Sequence, residues 1–306
     1  MAARVLDGAA IAAQIRAELG PRVAEFTRRA GRQPRLNIVL VGDKADSQIY
    51  VSSKLKSAAD EGMTAVLSRL PADASLDQIL ALVHKLNGDP ATDGILVQSP
   101  LPEPLGATAM QQVFDAIDPS KDVDGFTPVN VGRLSQNRAD LVPCTPAGIV
   151  ELLKRAGIAI AGKHAVVIGR SDIVGKPVSM LLLHRNATVT ICHSRTADLP
   201  AVAATGDILV AAIGRPGFVR KGFVKAGATV IDVGINRVTD QATAKDLLGA
   251  KRFEGFLTRG SAVVGDVHPE VSEVAGAVTP VPGGVGPLTV AMLMANTLRA
   301  AELRLK

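Results

Sequence analysis

The sequence predicts a two-domain α/β fold in which parallel strands alternate with helices. Its length of 306 residues suits two domains. Short aliphatic runs alternate with longer segments of helical period in each half of the chain, which is typical of parallel sheets with helical crossovers. The chain is 47% hydrophobic but only 3% aromatic, so we expect cores of Val, Ile, Leu and Ala side chains.

The first half of the chain shows this alternation clearly. Apolar residues recur at helical spacing over 7–29, and an apolar run over 36–41 predicts a strand. The elements predicted next are a helix over 47–61, a strand over 64–70, a helix over 75–86 and a strand over 94–98. The stretch 118–137 contains several Pro and Gly residues and is predicted to be a loop.

The second half repeats the alternation after a predicted domain boundary near Cys144. We expect one domain over 1–143, with a final helix over 287–306 packing back on it, and a second domain over 144–286. The charged stretch within 236–264 fits either a helix or a mobile insertion. The other elements predicted here are a helix over 145–155, strands over 163–169, 188–192, 208–213 and 229–233, and helices up to 184 and near 199–205.

Composition excludes several classes of function. The net charge is +5 without a long basic run, and aromatic residues that stack on bases are scarce, so we expect no nucleic-acid partner. Cys144 and Cys192 stand outside any metal-ligand pattern and are expected to be reduced thiols. Residues 1–20 lack a signal-peptide core and no apolar run reaches roughly 18 residues, so we expect a cytoplasmic protein without a membrane partner.

A candidate phosphate-binding loop follows the strand predicted over 163–169. Gly169 ends this strand and Gly175 opens the next helix, an arrangement that presents backbone N–H groups to a phosphate. The usual G-x-G-x-x-G fingerprint is absent, because the two glycines stand six residues apart. An ordinary strand–turn–helix corner is therefore an equally good interpretation of this motif alone.

The end of the next strand bears on the choice of dinucleotide. NAD-binding folds usually place an acid there to hold the ribose hydroxyl, whereas the strand over 188–192 is followed by residues without a carboxylate. Ser194 and Arg195, together with Arg170 of the first loop, favour the 2′-phosphate of NADP. The alternative is that residues 194–196 merely cap the next helix.

Tyr50 and Lys54 lie one turn apart on the same face of a predicted helix. A phenol and an ammonium in this arrangement can transfer a proton or polarise a bound ligand. Spacing alone nevertheless favours a surface helix whose lysine extends along it into solvent.

Two acids alternate in the stretch that ends at Asp124. A calcium loop would need a third ligand at the next alternate position and a Glu near the twelfth, and both are missing, so we expect no metal. A carboxylate on a loop also suits paired hydrogen bonds to an amino-pyrimidine edge. Gln98 ends a predicted buried strand and is expected to point into the same cleft.

Several segments, in order along the chain, resemble the bifunctional methylenetetrahydrofolate dehydrogenase/methenyltetrahydrofolate cyclohydrolase family. They extend over nearly the whole chain and are more specific together than singly. The resemblance implies an N-terminal α/β catalytic domain and a C-terminal Rossmann-like NADP-binding domain, with the active-site cleft between them. The segments are 47–54, 95–102, 121–126, 130–134, 143–146, 169–177 and 279–287.

The resemblance implies two reactions and a homodimer. NADP⁺ oxidises 5,10-methylenetetrahydrofolate to 5,10-methenyltetrahydrofolate, and water converts this product to 10-formyltetrahydrofolate, which links the enzyme to purine biosynthesis. Lys54 corresponds to the catalytic lysine and Gln98 to the glutamine that tunes it. Tyr50 corresponds to the tyrosine that positions the folate, and Asp124 to the acid that holds the pterin. The implied cofactor-binding positions are Gly169, Arg170, Ser171, Ser194 and Ile235, and the implied folate loop includes Pro282, Gly283 and Gly284.

The chain departs from the family pattern at three places. Thr127 stands where His is often found, the stretch 237–262 is longer than usual, and His268-Pro269 is atypical. Two other hypotheses remain at this point. One is an enzyme with only one of the two activities, and the other is a non-catalytic nucleotide-binding protein.

Overall fold

The structure is a computed structural model that describes residues 3–305, and for Ala45 and Asp46 it describes the backbone alone. The chain forms two compact units. The N-terminal unit consists of Ala12–Cys144 and Val290–Lys306, and the C-terminal unit consists of Met1–Ile11 and Thr145–Thr289. The first residues therefore group with the C-terminal unit, and the last residues return to the N-terminal unit.

The chain begins with strand β1 (Arg4–Val5) and helix α1 (Gly8–Ala30). The helices and strands predicted over 7–98 are all present. The elements that follow α1 before residue 144 are β2 (Arg35–Val41), α2 (Ala45–Asp60), β3 (Thr64–Leu70), α3 (Leu76–Gly88), β4 (Gly94–Val97), a short 3₁₀ turn (Glu103–Leu105), α4 (Ala109–Ala116) and α5 (Pro128–Ser135).

The N-terminal unit is built on a three-stranded parallel sheet in the order β3-β2-β4. The central strand β2 is buried from Leu36 to Val41, as expected for a parallel strand that is covered on both faces. Val39, Ile95 and Val97 of the sheet pack with residues of α3 and α4 in one aliphatic core. This core fixes the end of β4, and Gln98 is the residue that follows it.

The loop predicted over 118–137 is wrong for its second half, where α5 forms. Pro128 occupies the first turn of this helix, where a missing N–H costs nothing. The Thr127 side chain accepts a hydrogen bond from the backbone N–H of Asn130 and caps the helix. The Pro and Thr that resemble loop residues in the sequence are therefore helix-start signals here.

The remaining elements alternate as the sequence predicts. Among them, the two-residue strand Ala277–Val278 was not predictable, and neither was β1, because two residues show no periodicity. These elements are α6 (Cys144–Arg155), β5 (His164–Ile168), α7 (Gly175–His184), β6 (Thr188–Cys192), α8 (Leu199–Ala203), β7 (Ile208–Ala211), a 3₁₀ turn (Lys221–Phe223), β8 (Thr229–Asp232), β9 (Asn236–Val238), α9 (Gln241–Leu247), α10 (Ala250–Arg259), β10 (Ala262–Val264), a 3₁₀ turn (Pro269–Glu273), β11 (Ala277–Val278) and α11 (Val285–Arg304).

The C-terminal unit contains a six-stranded parallel sheet in the order β1-β11-β8-β7-β5-β6. The ambiguous stretch 236–264 is an antiparallel hairpin of β9 and β10 with the two helices α9 and α10 between its strands. The helical interpretation of this stretch is therefore confirmed. Among the helices of residues 3–305, none combines the length and apolarity needed to cross a membrane.

The side chain of Asp93, directly before β4, is fully buried and accepts three hydrogen bonds from two groups. Two come from the guanidinium of Arg32, at 2.6 and 2.8 Å, and one comes from the backbone N–H of Arg35 at 2.9 Å. This carboxylate links the start of β4 to the start of β2. It thereby sets the position of the strand that carries Gln98.

Asp93→Ala should lower the free energy of unfolding by about 2–4 kcal/mol, because it leaves the Arg32 guanidinium and a backbone N–H without their acceptor. Guanidinium denaturation followed by circular dichroism measures this change. The exposed Asp73 provides the control, since Asp73→Ala should shift the midpoint only slightly. Equal midpoints for the two variants would contradict the role of Asp93.

Candidate active site

Helix α2 and the end of strand β4 bring Lys54 and Gln98 together. The Nζ of Lys54 donates a hydrogen bond to the Oε1 of Gln98 at 2.9 Å. The Nε2 of Gln98 donates to the carbonyl of Ser99 at 2.7 Å, so Gln98 turns its oxygen toward the lysine. Lys54 is half-buried, whereas Tyr50, one turn earlier on the same helix, is 42% exposed. The interpretation of Lys54 as a solvated surface residue is therefore wrong.

A second charged group, the carboxyl of Asp124, shares the environment of Lys54. Burial raises the pKa of Asp124 to about 6, and the positive charge of Lys54 opposes this shift. Burial lowers the pKa of Lys54, and the negative charge of Asp124 opposes that shift in turn. Both groups are held where their charged forms are poorly solvated. Burial therefore shifts both groups toward their neutral forms, and the attraction between their charges limits that shift.

The acidic motif that ends at Asp124 divides into structural and site residues. The ammonium of Lys121 is buried and donates to the carbonyls of Leu86, Asn87 and Asp89 at 2.7–3.0 Å, which closes the end of α3.

Residues 3–305 contain no cluster of three or more acidic, His or Cys side chains suited to a metal ion.

Asp122 belongs to the structural part of this motif. Its carboxylate accepts from the backbone N–H groups of Gly125 and Thr127 and from the side-chain amide of Asn130, at 2.8–3.0 Å. Asp122 therefore holds the loop that presents Asp124.

Cys144 and Asn296 contact the backbone next to Asp124, and neither was identified as a site residue from the sequence. The Sγ of Cys144 donates to the carbonyl of Val123 at 3.3 Å, and burial raises the pKa of this thiol well above its ordinary value. The side-chain amide of Asn296 donates to the carbonyls of Val123 and Val142, both at 2.8 Å. These contacts fix the backbone on both sides of Asp124. Asn296 directly follows the apolar run 290–295 of helix α11, and a polar amide at the end of such a run is the signal that could have identified it.

In the C-terminal unit, Gly169 and Gly175 shape the loop between β5 and α7. Gly169 has φ +127°, and a Cβ at this position would lie 2.2 Å from the carbonyl oxygen of Ala212. A Cβ on Gly175 would lie 2.3 Å from the carbonyl oxygen of Gly169. The hydroxyl of Ser171 accepts from the N–H groups of Val174 and Gly175 at 3.2 and 3.3 Å. The glycines are therefore required for this loop, and Arg170 is exposed beside it.

The residues after β6 do not cap the next helix. That function belongs to Asp198, whose side chain accepts from the N–H of Ala201. Thr196 instead accepts from the N–H of His193 at 2.9 Å and holds the turn. The capping interpretation of residues 194–196 is therefore wrong, and Ser194 and Arg195 are exposed at the carboxyl end of the strand.

A pair of buried carboxylates organises the ends of β7 and β8. Asp266 accepts from the N–H groups of Ile213, Gly214 and Arg215 at 2.7–3.0 Å and from the side chain of Asn236 at 2.9 Å. These residues were not identified from the sequence, because backbone N–H acceptance leaves no pattern in it.

The second carboxylate of this pair is Asp232. It accepts from the N–H groups of Gly234, Asp266 and Val267, and burial raises its pKa to about 7. The loop after β8 is thereby fixed, and Ile235 is 51% exposed on it.

The predicted folate loop lies before α11, in the C-terminal unit. The backbone N–H of Ala9 donates to the carbonyl of Gly283 at 3.1 Å. A Cβ on Gly284 would lie 2.5 Å from the carbonyl oxygen of Pro280, so the loop coils back on itself. Pro282 is exposed. The structure thus groups Lys54, Gln98 and Asp124 in one unit, and it carries the predicted cofactor and loop residues in the other.

The ionisation of Asp124 should cost stability. A carboxyl whose pKa is raised on folding keeps its proton in the folded state while the unfolded chain releases it, so stability falls as pH rises from about 4 to about 6. Asp124→Asn removes this charge. We expect a gain of about 1–3 kcal/mol in the free energy of unfolding at pH 7.5, with no gain below about pH 4.

Urea denaturation at several pH values measures this dependence. The exposed Asp115 is the matched control, because Asp115→Asn should show no such pH dependence. A difference between Asp124→Asn and the wild type that stays constant from pH 4 to pH 8 would count against the assignment.

Comparison with known families agrees with this division of residues. The catalytic-domain model of tetrahydrofolate dehydrogenase/cyclohydrolase matches residues 6–124, and the NAD(P)-binding-domain model of the same name matches residues 143–305. The bifunctional protein FolD of Koribacter versatilis (strain Ellin345) is 54% identical over 306 residues, which cover 99% of this chain and 98% of that protein.

Solved structures are similar over the same extent. The bifunctional enzyme FolD from Campylobacter jejuni has a TM-score of 0.88 at 39% identity, covering 99% of this chain and 100% of that chain. The Trypanosoma brucei methylenetetrahydrofolate dehydrogenase-cyclohydrolase, solved with NADP cofactor and inhibitor, has a TM-score of 0.87 at 40% identity and covers 99% and 98%. The chain therefore belongs to the tetrahydrofolate dehydrogenase/cyclohydrolase family.

Proposed function

We propose that this chain catalyses both reactions of its family on one folate substrate. It oxidises 5,10-methylenetetrahydrofolate to 5,10-methenyltetrahydrofolate with NADP⁺ and then hydrolyses that product to 10-formyltetrahydrofolate. The single observation that carries this proposal is the half-buried amine of Lys54, hydrogen-bonded to Gln98 and held beside the carboxyl of Asp124. A non-catalytic nucleotide-binding protein has no use for an amine whose pKa is lowered in this way.

The residues of the C-terminal unit fit a dinucleotide phosphate. The positions of Gly169 and Gly175 leave no room for a Cβ, so the loop backbone stays accessible at the start of α7. Arg170, Ser194 and Arg195 are exposed at the ends of β5 and β6 and suit a 2′-phosphate, and Ile235 offers an apolar contact. These residues would hold NADP⁺, which would supply the acceptor for the hydride of the methylene carbon. That carbon is already activated by two nitrogens, so the protein mainly has to orient it.

Lys54 serves as the base for the hydrolytic reaction. Burial lowers its pKa and so favours the unprotonated amine more than in an exposed lysine, and Gln98 directs that amine. Water adds to the methenyl carbon as its proton passes to Nζ. Lys54 then returns a proton to the ring nitrogen as the bond from that nitrogen to the carbon breaks, and the hydroxyl proton of the adduct is released to solvent.

The other assigned residues hold the folate. Asp124 accepts hydrogen bonds from the amino-pyrimidine edge of the pterin, and the exposed ring of Tyr50 positions the substrate. Pro282, Gly283 and Gly284 form a loop that flanks the folate. Tyr50 is thus a positioning residue, whereas Lys54 transfers the proton.

The family resemblance also supports coarser features of this proposal. We infer a catalytic domain over 1–143 together with 287–306, and a cofactor domain over 144–286. The limits of the two family models, 6–124 and 143–305, support the boundary near 143, and the grouping of Val290–Lys306 with the N-terminal unit supports the place of the last helix. We likewise propose a cytoplasmic homodimer that supplies 10-formyltetrahydrofolate to purine biosynthesis.

Purified protein incubated with 5,10-methylenetetrahydrofolate and NADP⁺ should form NADPH and methenyltetrahydrofolate, both followed by absorbance. Absence of both products would refute the proposed function.

Lys54→Met keeps the length of the side chain without its base and should lower the cyclohydrolase rate by about 10²–10⁴-fold. Lys56→Met on the same helix is the matched control, because Lys56 is exposed and pairs with Asp60. A cyclohydrolase rate unchanged in Lys54→Met would exclude Lys54 as the base.

The wild-type enzyme should prefer NADP⁺ over NAD⁺, as measured by kcat/KM. Arg170→Ala and Arg195→Ala should each lower kcat/KM for NADP⁺ by about tenfold to a hundredfold, the worth of one charged hydrogen bond, and leave the value for NAD⁺ nearly unchanged. The exposed Arg185, at the other end of α7, is the control. Equal kcat/KM values for the two cofactors in the wild type would contradict the assignment of the 2′-phosphate site.

A further inference from the structure

The stretch between β9 and β10 forms a folded insert, defined here as residues 239–261. Its two helices share an apolar core with the hairpin that carries them, and the rings of Phe253 and Phe256 stack with centroids 5.9 Å apart. The insert also packs on the body of the C-terminal unit, since a Cβ on Gly217 would lie 2.3 Å from the Cδ2 of Leu247. The insert is therefore an ordered part of the unit.

One side chain of the insert, Arg252, reaches beyond it. Its Nη1 donates to the carbonyl of Val281 at 2.9 Å, and its Nη2 donates to the carbonyl of Val263 at 2.5 Å. The two bonds come from one planar guanidinium, whose donors hold a fixed geometry. Arg252 thus couples strand β10 to the loop that contains Pro282, Gly283 and Gly284.

This loop has anchors on either side of Val281. Before it, the hydroxyl of Thr279 accepts from the backbone N–H of Asp232 at 2.7 Å. After it, the carbonyl of Gly283 accepts from the backbone N–H of Ala9 at 3.1 Å. Arg252 holds the middle of the loop, and it does so from the insert, whereas the outer anchors belong to β8 and α1.

Side-chain packing supports the loop poorly on the side of the insert. A cavity of about 250 Å³ lies there, lined by residues that include Leu247, Arg252, His268, Pro280 and Val281. On this side the loop faces a solvent-accessible pocket, so fewer side-chain contacts restrict it. The hydrogen bond from the exposed Arg252 to the carbonyl of Val281 is a direct polar link between the insert and the loop.

We propose that Arg252 is a positioning residue through which the insert sets the conformation of the 280–284 loop and thereby the affinity for the folate substrate. This inference rests on the proposed function, in which that loop flanks the folate. Arg252 does not take part in the proton transfer at Lys54 or in the cofactor loop at Gly169. Its removal should consequently raise the KM for folate and leave kcat and the KM for NADP⁺ nearly unchanged.

Steady-state kinetics of the full-length protein test this separation. In Arg252→Ala, the KM for methenyltetrahydrofolate in the cyclohydrolase assay without NADP⁺ should rise on the order of tenfold, with kcat changed less than about twofold. Arg252→Gln keeps one amide donor on a shorter stem and should give an intermediate KM. Lys251→Ala, the exposed neighbour on α10, is the matched control and should behave like the wild type.

Hydrogen–deuterium exchange provides a readout that does not depend on activity. The peptide covering 279–286 should exchange faster in Arg252→Ala than in the wild type, and a peptide covering 169–175 should not change. An unchanged exchange rate of the loop peptide would overturn the inference, and so would equal rises in the KM for folate and for NADP⁺. If Arg252→Ala fails to fold, Arg252→Gln decides by the same two measurements. A wild-type enzyme without activity would refute the proposed function but not the role of Arg252 in holding the loop. The exchange experiment tests that role without any activity.

Discussion

The hydrogen bond between Lys54 and Gln98 is the contact on which the chemistry of the N-terminal unit depends. It joins the half-buried Lys54 of helix α2 to the residue that follows strand β4. The position of the amine is therefore set by the parallel sheet. The same partial burial penalises the ammonium of Lys54 and the carboxylate of Asp124, while each charge relieves the penalty on the other. Reactivity here thus comes from two groups that are incompletely solvated and incompletely neutralised.

Buried polar groups that accept or donate backbone hydrogen bonds hold the loops at both sites. Asp122 fixes the turn before α5, and Asp232 and Asp266 fix the ends of β7 and β8. Asn296 fixes the backbone next to Asp124. Because these buried groups bind the loop backbones, holding the loops does not require the exposed side chains. Those exposed side chains remain available for ligands.

Much of the fold follows from the sequence, because buried parallel strands are continuous aliphatic runs and their helices are amphipathic. The strands β1 and β11 escape such reasoning, since two residues show no period, and α5 escapes it because Pro128 marks a helix start as readily as a break. Lys54 was identified through the family resemblance, as spacing alone favoured a solvated lysine. Asp232, Asp266 and Asn296 were missed because their partners are backbone groups distant in sequence, which only the folded chain brings together.

The hairpin that carries the insert has a consequence for how this unit can vary. Val238 lies opposite Ala262, so the chain leaves and re-enters the hairpin at adjacent positions. A segment that joins these positions needs closely spaced ends, and its length adds little to the cost of closure. Because β9 and β10 lie outside the six-stranded sheet, the hairpin can accept segments of different length while that sheet and its strand order stay the same.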